Sequence, residues 1–343
     1  MFTPIYLLPQ FDAKESAKYQ DRWHDHANKN TADIIIKMIR NGAGEDFLQQ
    51  DFESGNLGIL EHMQDLKGII ISGEDINFPK NDNFEGIDFT YARFFNSKFT
   101  GATFVGGTSL RFAKIANTEF INCIFLNTDF YGTELIKVNF INCDFIYNDK
   151  ITNCELKEVK LEKCFTSYRL FFDCKFDEQT VIDEPLKTPS NTSWKSEKLN
   201  SKSLSEIYKG IKEGYLGGEV IKQSKNYFFK EKQAITRYNA NCKNKITGYF
   251  HEYITGYGIS PLRVLITMMI IFIVFTLIFI GKTDCLNGLL LSAGAFFTFG
   301  ANIDYLKDMC TVFKIFYILE AFFGIASMAL FITVLANLWF RER

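Results

Sequence analysis

Charge of either sign is not in excess in this chain: 38 Lys and Arg against 40 Asp and Glu give a formal net charge of −2 over 343 residues. No global basic field therefore points to nucleic acid. Histidine is scarce, with four in all. His24 and His26, in Trp-His-Asp-His, have no further ligands nearby, and His62 and His251 stand alone. No CxxC pair or Cys/His cluster of zinc spacing occurs among the eight cysteines, which argues against a metal site. Nucleophile–base pairs and phosphate loops are also missing, so neither an enzyme nor a cofactor is expected. Met1-Phe2-Thr3-Pro4 lacks the basic head and apolar core of a secretory signal, and the large N-terminal part is expected to stay inside the cell.

What the chain does have, first, is a repeat of five. Large apolar residues fall at Phe84, Phe89, Phe94, Phe99 and Phe104, then after one inserted residue at Leu110, Ile115, Phe120, Phe125, Phe130, Leu135, Phe140 and Phe145. After a second insertion, at 146–151, the pattern resumes at Ile151, Leu156, Leu161, Thr166, Phe171, Phe176 and Val181. Small or β-branched residues stand two positions earlier: Ala92, Ala102, Ala113, Thr118, Cys123, Thr128, Thr133 and Cys143. Neither a helix nor an alternating strand has this period.

This spacing resembles the pentapeptide-repeat family. The resemblance implies a right-handed quadrilateral β-helix over 66–184, four pentads to a coil, with the large residue and the preceding small one inward. Twenty frames make about five coils, stacking to roughly 24 Å at the spacing of adjacent strands. Cys123, Cys143 and Cys164, and the pair Cys154 and Cys174, should stack inside as small thiols. Arg169 at a small position and Thr166 at a large one read as the decay that ends the solenoid, whose terminal coils need caps. Residues 1–65, with an apolar stretch at 34–39, are expected to cap the first coil. Some members of the family are acidic mimics of DNA, but fourteen acidic and eleven basic residues over 82–182 are too balanced for that.

The chain changes character at 185. Residues 185–200 are polar and read as a linker. A helical pair should come next, with Ser203 and Glu206 as a capping box, Ile207, Tyr208, Ile211 and Tyr215 on one face, and Gly217-Gly218 as the break. This stretch, 185–259, is expected to couple the solenoid to the apolar C-terminal part of the chain. From 221 to 245 there are seven basic residues and one acidic, interleaved with Tyr227, Phe228 and Tyr238. Two readings stay open: contact with anionic lipid, or the solvated face of a helical linker.

The last part, 260–343, carries two charge-free apolar runs, 264–281 and 321–340, each long enough to cross a hydrocarbon core. Between them 286–297 is apolar but only about a dozen residues long, which suits a re-entrant segment better than a third crossing. It leads into Thr298-Phe299-Gly300-Ala301-Asn302. Non-helical backbone at membrane depth needs a shielded, water-lined setting. Basic residues cluster before the first run and after the second, so both termini are expected on the cytoplasmic side of the cell's inner or plasma membrane.

Span, short helix, Thr-x-Gly and a second span reading Glu320-Ala-Phe-Phe-Gly324 resemble the two-transmembrane potassium-channel-like superfamily, and Gly256-Tyr-Gly-Ile-Ser-Pro261 is similar to the approach to the first span in related pentapeptide-repeat membrane proteins. The resemblance implies a homotetramer with a filter of Thr298, Phe299, Gly300, Ala301 and Asn302, whose carbonyls replace the hydration shell of a monovalent cation. The family's Thr-Val-Gly-Tyr-Gly-Asp is matched at its first three positions only; Ala301, Asn302 and Ile303 depart from it. Potassium, sodium and non-selective conduction all stay open. An ordinary re-entrant turn in a membrane-anchored scaffold without conduction is the alternative.

Glu320 is expected at the start of the second span, either as pore support bonded to the short helix or the filter, or as a solvated interfacial residue. Gly324 reads as a packing site or a gating bend. Cys285 and Cys310 flank the pore segment on the outer side, where a disulfide or two free thiols are both permitted.

Overall fold

The computed structural model describes residues 12–21, 64–73, 75–77, 83–85, 87–105, 107–146, 149–166, 169–186, 188–189, 200–238, 242–297 and 310–341. These fall into two compact units, Met1–Ala234 and Ile235–Arg343.

The first unit is a four-sided parallel β-solenoid of about five turns. Its short strands pair with those one coil away, and the central residues form interior ladders. One runs Ile71, Phe94, Ile115, Leu135, Leu156, Phe176. The next runs Ile76, Phe99, Phe120, Phe140, Leu161, Ile182. A third runs Phe104, Phe125, Phe145, Thr166, with the strand of Phe84 paired in register beside Phe104. On the fourth side Phe89, Leu110, Phe130, Ile151 and Phe171 are buried beside a line of bridges from Asp88 through Ser109 and Asp129 to Lys150. Phenylalanines of successive coils stack nearly parallel, with ring centroids 4.9 Å apart for Phe104–Phe125 and Phe125–Phe145 and 5.1 Å for Phe99–Phe120 and Phe120–Phe140. Neighbours within a coil meet edge to face. Such pairs add about 0.5–1.5 kcal/mol each beyond their area burial.

The pentad works because each position has a separate physical task. The small residue two before the large one turns inward at the corner, and where it carries a donor it bonds the carbonyl of the previous coil. Thr133 Oγ1 donates to Leu110 O at 2.7 Å, Cys154 Sγ to Phe130 O at 2.8 Å, Cys174 Sγ to Ile151 O at 3.1 Å and Cys143 Sγ to Phe120 O at 3.2 Å. The five solenoid cysteines are buried free thiols. Burial, reinforced by neighbouring thiols, pushes those of Cys143 and Cys154 well up. The residue two after the large one adopts positive φ, which is why Asn96, Asn117, Asn122, Asn127, Asn142 and Asn153 stand there.

The structure moves both ends of the repeat. The ladders begin upstream of Phe84, at Ile71 and Ile76. At the far end Val181 is not the inward residue: it is 48% exposed and pairs with Lys160, while Ile182 is buried opposite Leu161. A further inserted residue has shifted the frame by one. Arg169 does not end the solenoid either; its guanidinium turns outward, lies 4.3 Å from the Phe172 ring centre and pairs with Glu213.

The inserted residues at 146–151 contain Asp149, which is fully buried. Its Oδ1 accepts from the Thr128 amide at 2.6 Å and its Oδ2 from the Ile146 amide at 2.7 Å. Burial outweighs these bonds and pushes its carboxyl from 3.8 up to about 7. A folded-state value above the unfolded one means the stabilisation is complete below pH 4 and is lost as the pH rises through about 7. Between pH 5.5 and 8.5 the protein is expected to lose about 2 kcal/mol relative to Asp149→Asn, measured by urea unfolding at both pH values; equal losses would refute this.

Of residues 1–65 the structure describes α1, Ala13–Asp21, and the first strand, Gln64–Asp65. Helix α1 lies against the first coils: a Cβ at Gly68 would come within 2.5 Å of the Tyr19 backbone, and Tyr19 stacks on Tyr91 at 6.0 Å. Residues 34–39 lie outside the described residues.

The other end is closed by α2, Ser201–Gly217, and α3, Ile221–Tyr238. Helix α2 is capped by Asn200, whose Oδ1 accepts from the amides of Lys202 and Ser203, both at 2.9 Å. Asn200 rather than Ser203 is therefore the N-cap. Ile207, Ile211 and Tyr215 turn into the solenoid core, as their shared face required. Tyr215 donates to Thr180 O at 2.7 Å and Tyr227 to Ile182 O at 2.5 Å. Glycines let the helix backbone approach the last coil: a Cβ at Gly210 would sit 2.8 Å from Phe171 O, and one at Gly218 only 1.8 Å from Phe176 O. The hairpin is the C-terminal cap of the solenoid, a task the sequence had left unfilled.

The second unit holds α4, Cys242–Phe250, a π-helical turn, His251–Thr255, then α5, Pro261–Ile280, α6, Cys285–Phe296, and α7, Thr311–Arg341. Two stretches, Pro261–Ile280 and Thr311–Ala336, are long and apolar enough to cross a membrane. The second starts about ten residues earlier than its charge-free run, because Lys314 and Glu320 continue the helix. Glu320 thus lies in its third turn and not at its start.

Candidate functional site

The short helix α6 is about 18 Å long at the α-helical rise, too short to cross a hydrocarbon core. It packs against both α5 and α7, and small residues on one side make that fit. Gly288 meets the end of α5, where a Cβ would stand 2.8 Å from the Ile280 amide nitrogen. Ser292 and Ala295, one and two turns on, are buried. Phe296 is 2% exposed and meets Phe272 of α5 edge to face at 5.7 Å.

Two contacts fix α6 to α7. The Ser292 hydroxyl donates to Glu320 Oε1, and both residues are 0% exposed. Among the described residues Glu320 Oε2 has no hydrogen-bond partner, and Ser292 is the one donor to this carboxyl. Glu320 is accordingly not a solvated interfacial residue, and its partner is a side chain of the short helix. One turn later Gly324 faces the C-terminus of α6, where a Cβ would lie 2.2 Å from the Phe296 carbonyl oxygen. Gly324 is a packing site; α7 runs through it as a continuous α-helix.

Helix α6 ends at Phe296, and Phe297 comes directly after it. Thr298, Phe299, Gly300, Ala301 and Asn302 lie outside the described residues. Cys285 opens α6 and Cys310 precedes α7; both are exposed free thiols. Sequence reasoning overlooked Ser292, Phe272 and Phe296. Gly288, Ser292 and Ala295 at helical spacing were the available signal, since small residues let apolar helices approach closely.

Outside these contacts, α5 and α7 expose large apolar side chains in many directions: Leu262, Ile270 and Leu277 on one, Ile318, Phe322 and Ile332 on the other. Hydroxyls along them bond their own helix, Thr276 to Phe272 O and Thr333 to Ala329 O, both at 2.8 Å. A helix apolar all round, with its hydroxyls bonded to its own backbone, suits surroundings other than water.

Comparison with known proteins places the repeats. The family described as pentapeptide repeats matches residues 108–145 in eight copies. No curated protein matches the chain. Among solved structures the chain is similar to the pentapeptide repeat protein Rfr23 of the cyanobacterium Cyanothece 51142, at 16% identity over 36% of this chain and 93% of that one, with a TM-score of 0.18. The chain carries a pentapeptide-repeat domain, folded as a β-solenoid and followed by helices of which two are candidate membrane spans.

Proposed function

We propose that this protein is a tetrameric channel for monovalent cations, potassium or weakly selective, with its pentapeptide-repeat solenoid as a cytoplasmic sensing or docking domain. The observation that carries this reading is α6. A tethering hairpin has no use for a third, short helix wedged between its two spans, with a buried carboxyl and a glycine close approach fixing its position. Helix α6 ends at Phe296, and Thr298–Asn302 begin two residues later in the sequence. Four copies around an axis would shield that backbone and direct its carbonyls at a shared ion path. The exposed apolar surfaces of α5 and α7 leave room for lipid on one side and neighbouring copies on another. The excess of basic residues before Pro261 supports cytoplasmic termini.

The test is current. Reconstituted in a planar bilayer under asymmetric KCl, the protein is expected to conduct, with a reversal potential on the cation side. Gly300→Asp should reduce or reshape that current at least tenfold, because a side chain and a charge enter the ion path. Absence of wild-type current across voltage, lipid and pH would leave a membrane-anchored pentapeptide-repeat scaffold as the reading.

A further inference from the structure

Helix α4 and the π-helical turn after it expose an apolar stripe that belongs to neither span. Ile246, Tyr249, Phe250 and Tyr253 are all exposed, Tyr253 by 72%. Their spacing of three, one and three places them on one side of a helix. The opposite side is the packed one. Gly248 lies against Thr236, where a Cβ would stand 2.5 Å from its methyl carbon, and Thr236 shares a hydrogen bond with Tyr257 at 2.9 Å. Glu252 is buried; its backbone carbonyl accepts from the Arg263 guanidinium at 2.6 Å and its carboxylate from the Tyr257 hydroxyl at 3.4 Å. The segment has thus turned Glu252 and Thr255 inward while Ile246, Tyr249, Phe250 and Tyr253 stay exposed.

Two observations identify what covers the stripe. It is continuous in sequence and apolar character with the first span: Tyr253 lies eight residues before Pro261, and exposed apolar side chains resume at Leu262, Leu265 and Ile266. The charged side chain left beside the stripe is the half-buried Lys245, since the Glu252 carboxylate is turned in. Apolar and aromatic side chains beside basic ones are the composition of a helix lying in a headgroup boundary.

We propose that α4 and the turn lie flat in the cytoplasmic interface of an anionic bilayer, with Ile246, Tyr249, Phe250 and Tyr253 among the upper acyl chains and Lys245 at the phosphates. The proposal rests on the membrane reading of α5 and α7, and its test separates the two. Benzoylphenylalanine is placed singly at Tyr253, at Phe322 of α7 and at Val181 of the solenoid, in the full chain reconstituted into vesicles of three parts phosphatidylcholine to one part phosphatidylglycerol. After irradiation, adducts are identified by mass spectrometry. Tyr253 and Phe322 are both expected to give lipid adducts, each at least about tenfold above Val181. Lipid adducts at Phe322 with only the Val181 level at Tyr253 would overturn the interfacial helix while leaving the spans in place. Adducts from Tyr253 to protein in place of lipid would also overturn it, and would point to a partner or a second copy. Lipid adducts at neither position would overturn both readings.

Discussion

Gly218→Ala is expected to destabilise the solenoid unit by about 3 kcal/mol, at the upper end of what overpacking costs. The reason is a backbone contact. A Cβ at Gly218 would stand 1.8 Å from the Phe176 carbonyl oxygen and 2.8 Å from the carbonyl carbon, and no rotamer change can relieve a clash with main chain. Gly218 has φ −92 and ψ 9, a conformation open to alanine, so the loss stems from approach and not from strain. The clash must lift the end of α2 from the last coil. That would withdraw Tyr215 from its bond to Thr180 and expose the last rung of each ladder. Tyr215→Phe removes only the hydroxyl of a buried bond and should cost about 1 kcal/mol. Urea unfolding followed by far-ultraviolet dichroism measures both. A loss below about 1 kcal/mol for Gly218→Ala would mean that the hairpin does not cap the solenoid.

Gly324→Ala is expected to have the largest effect in the second unit. Its Cβ would meet the Phe296 carbonyl oxygen at 2.2 Å, again main chain, at the residue from which the chain leaves α6. The end of α6 must move, while Ser292 and Glu320 hold its middle. Amide exchange across Cys285–Phe296 should accelerate by about two orders of magnitude, the equivalent of roughly 3 kcal/mol. On the channel reading proposed above, bilayer current should fall as well. Melting of the solenoid should not change, which separates this variant from general misfolding. Glu320→Ala is the companion: it deprives the Ser292 hydroxyl of its close acceptor, leaving Phe272 O at 3.4 Å, and should speed exchange in the same segment to a smaller extent. Unchanged exchange in Gly324→Ala would show that α6 is not held by α7.

The two glycines illustrate what could be read beforehand. Gly324 reads as a packing site or a bend, and only the structure places the Phe296 carbonyl against it, a packing contact. Gly218 reads as the end of a helix, which it is, but the coil it touches is some forty residues earlier in the chain. Glu320 stood out because an ionisable residue in an apolar run is conspicuous, yet whether it was wet or buried depended on Ser292, 28 positions away in sequence.

The solenoid was legible almost entirely from the sequence, because its rule is local. A five-residue period excludes a helix or an alternating strand, and the resemblance to the pentapeptide-repeat family implies the inward large residue and the stacked coils. Cysteine and threonine at the small positions, and asparagine at the positive-φ corners, obey the same local rule. The frame was lost where a single residue enters between Phe176 and Ile182: both Val181 and Ile182 are apolar, and only pairing with Leu161 one coil away decides which turns inward. The two long apolar helices were legible for the same reason, since length and lack of charge are properties of a run of chain. What tertiary structure alone decided were the caps and the close approaches. Asn200 in place of Ser203, α2 against Phe176, and α6 between α5 and α7 all depend on which distant surface a segment meets. A glycine or a serine carries no mark in sequence of the backbone that will lie against it.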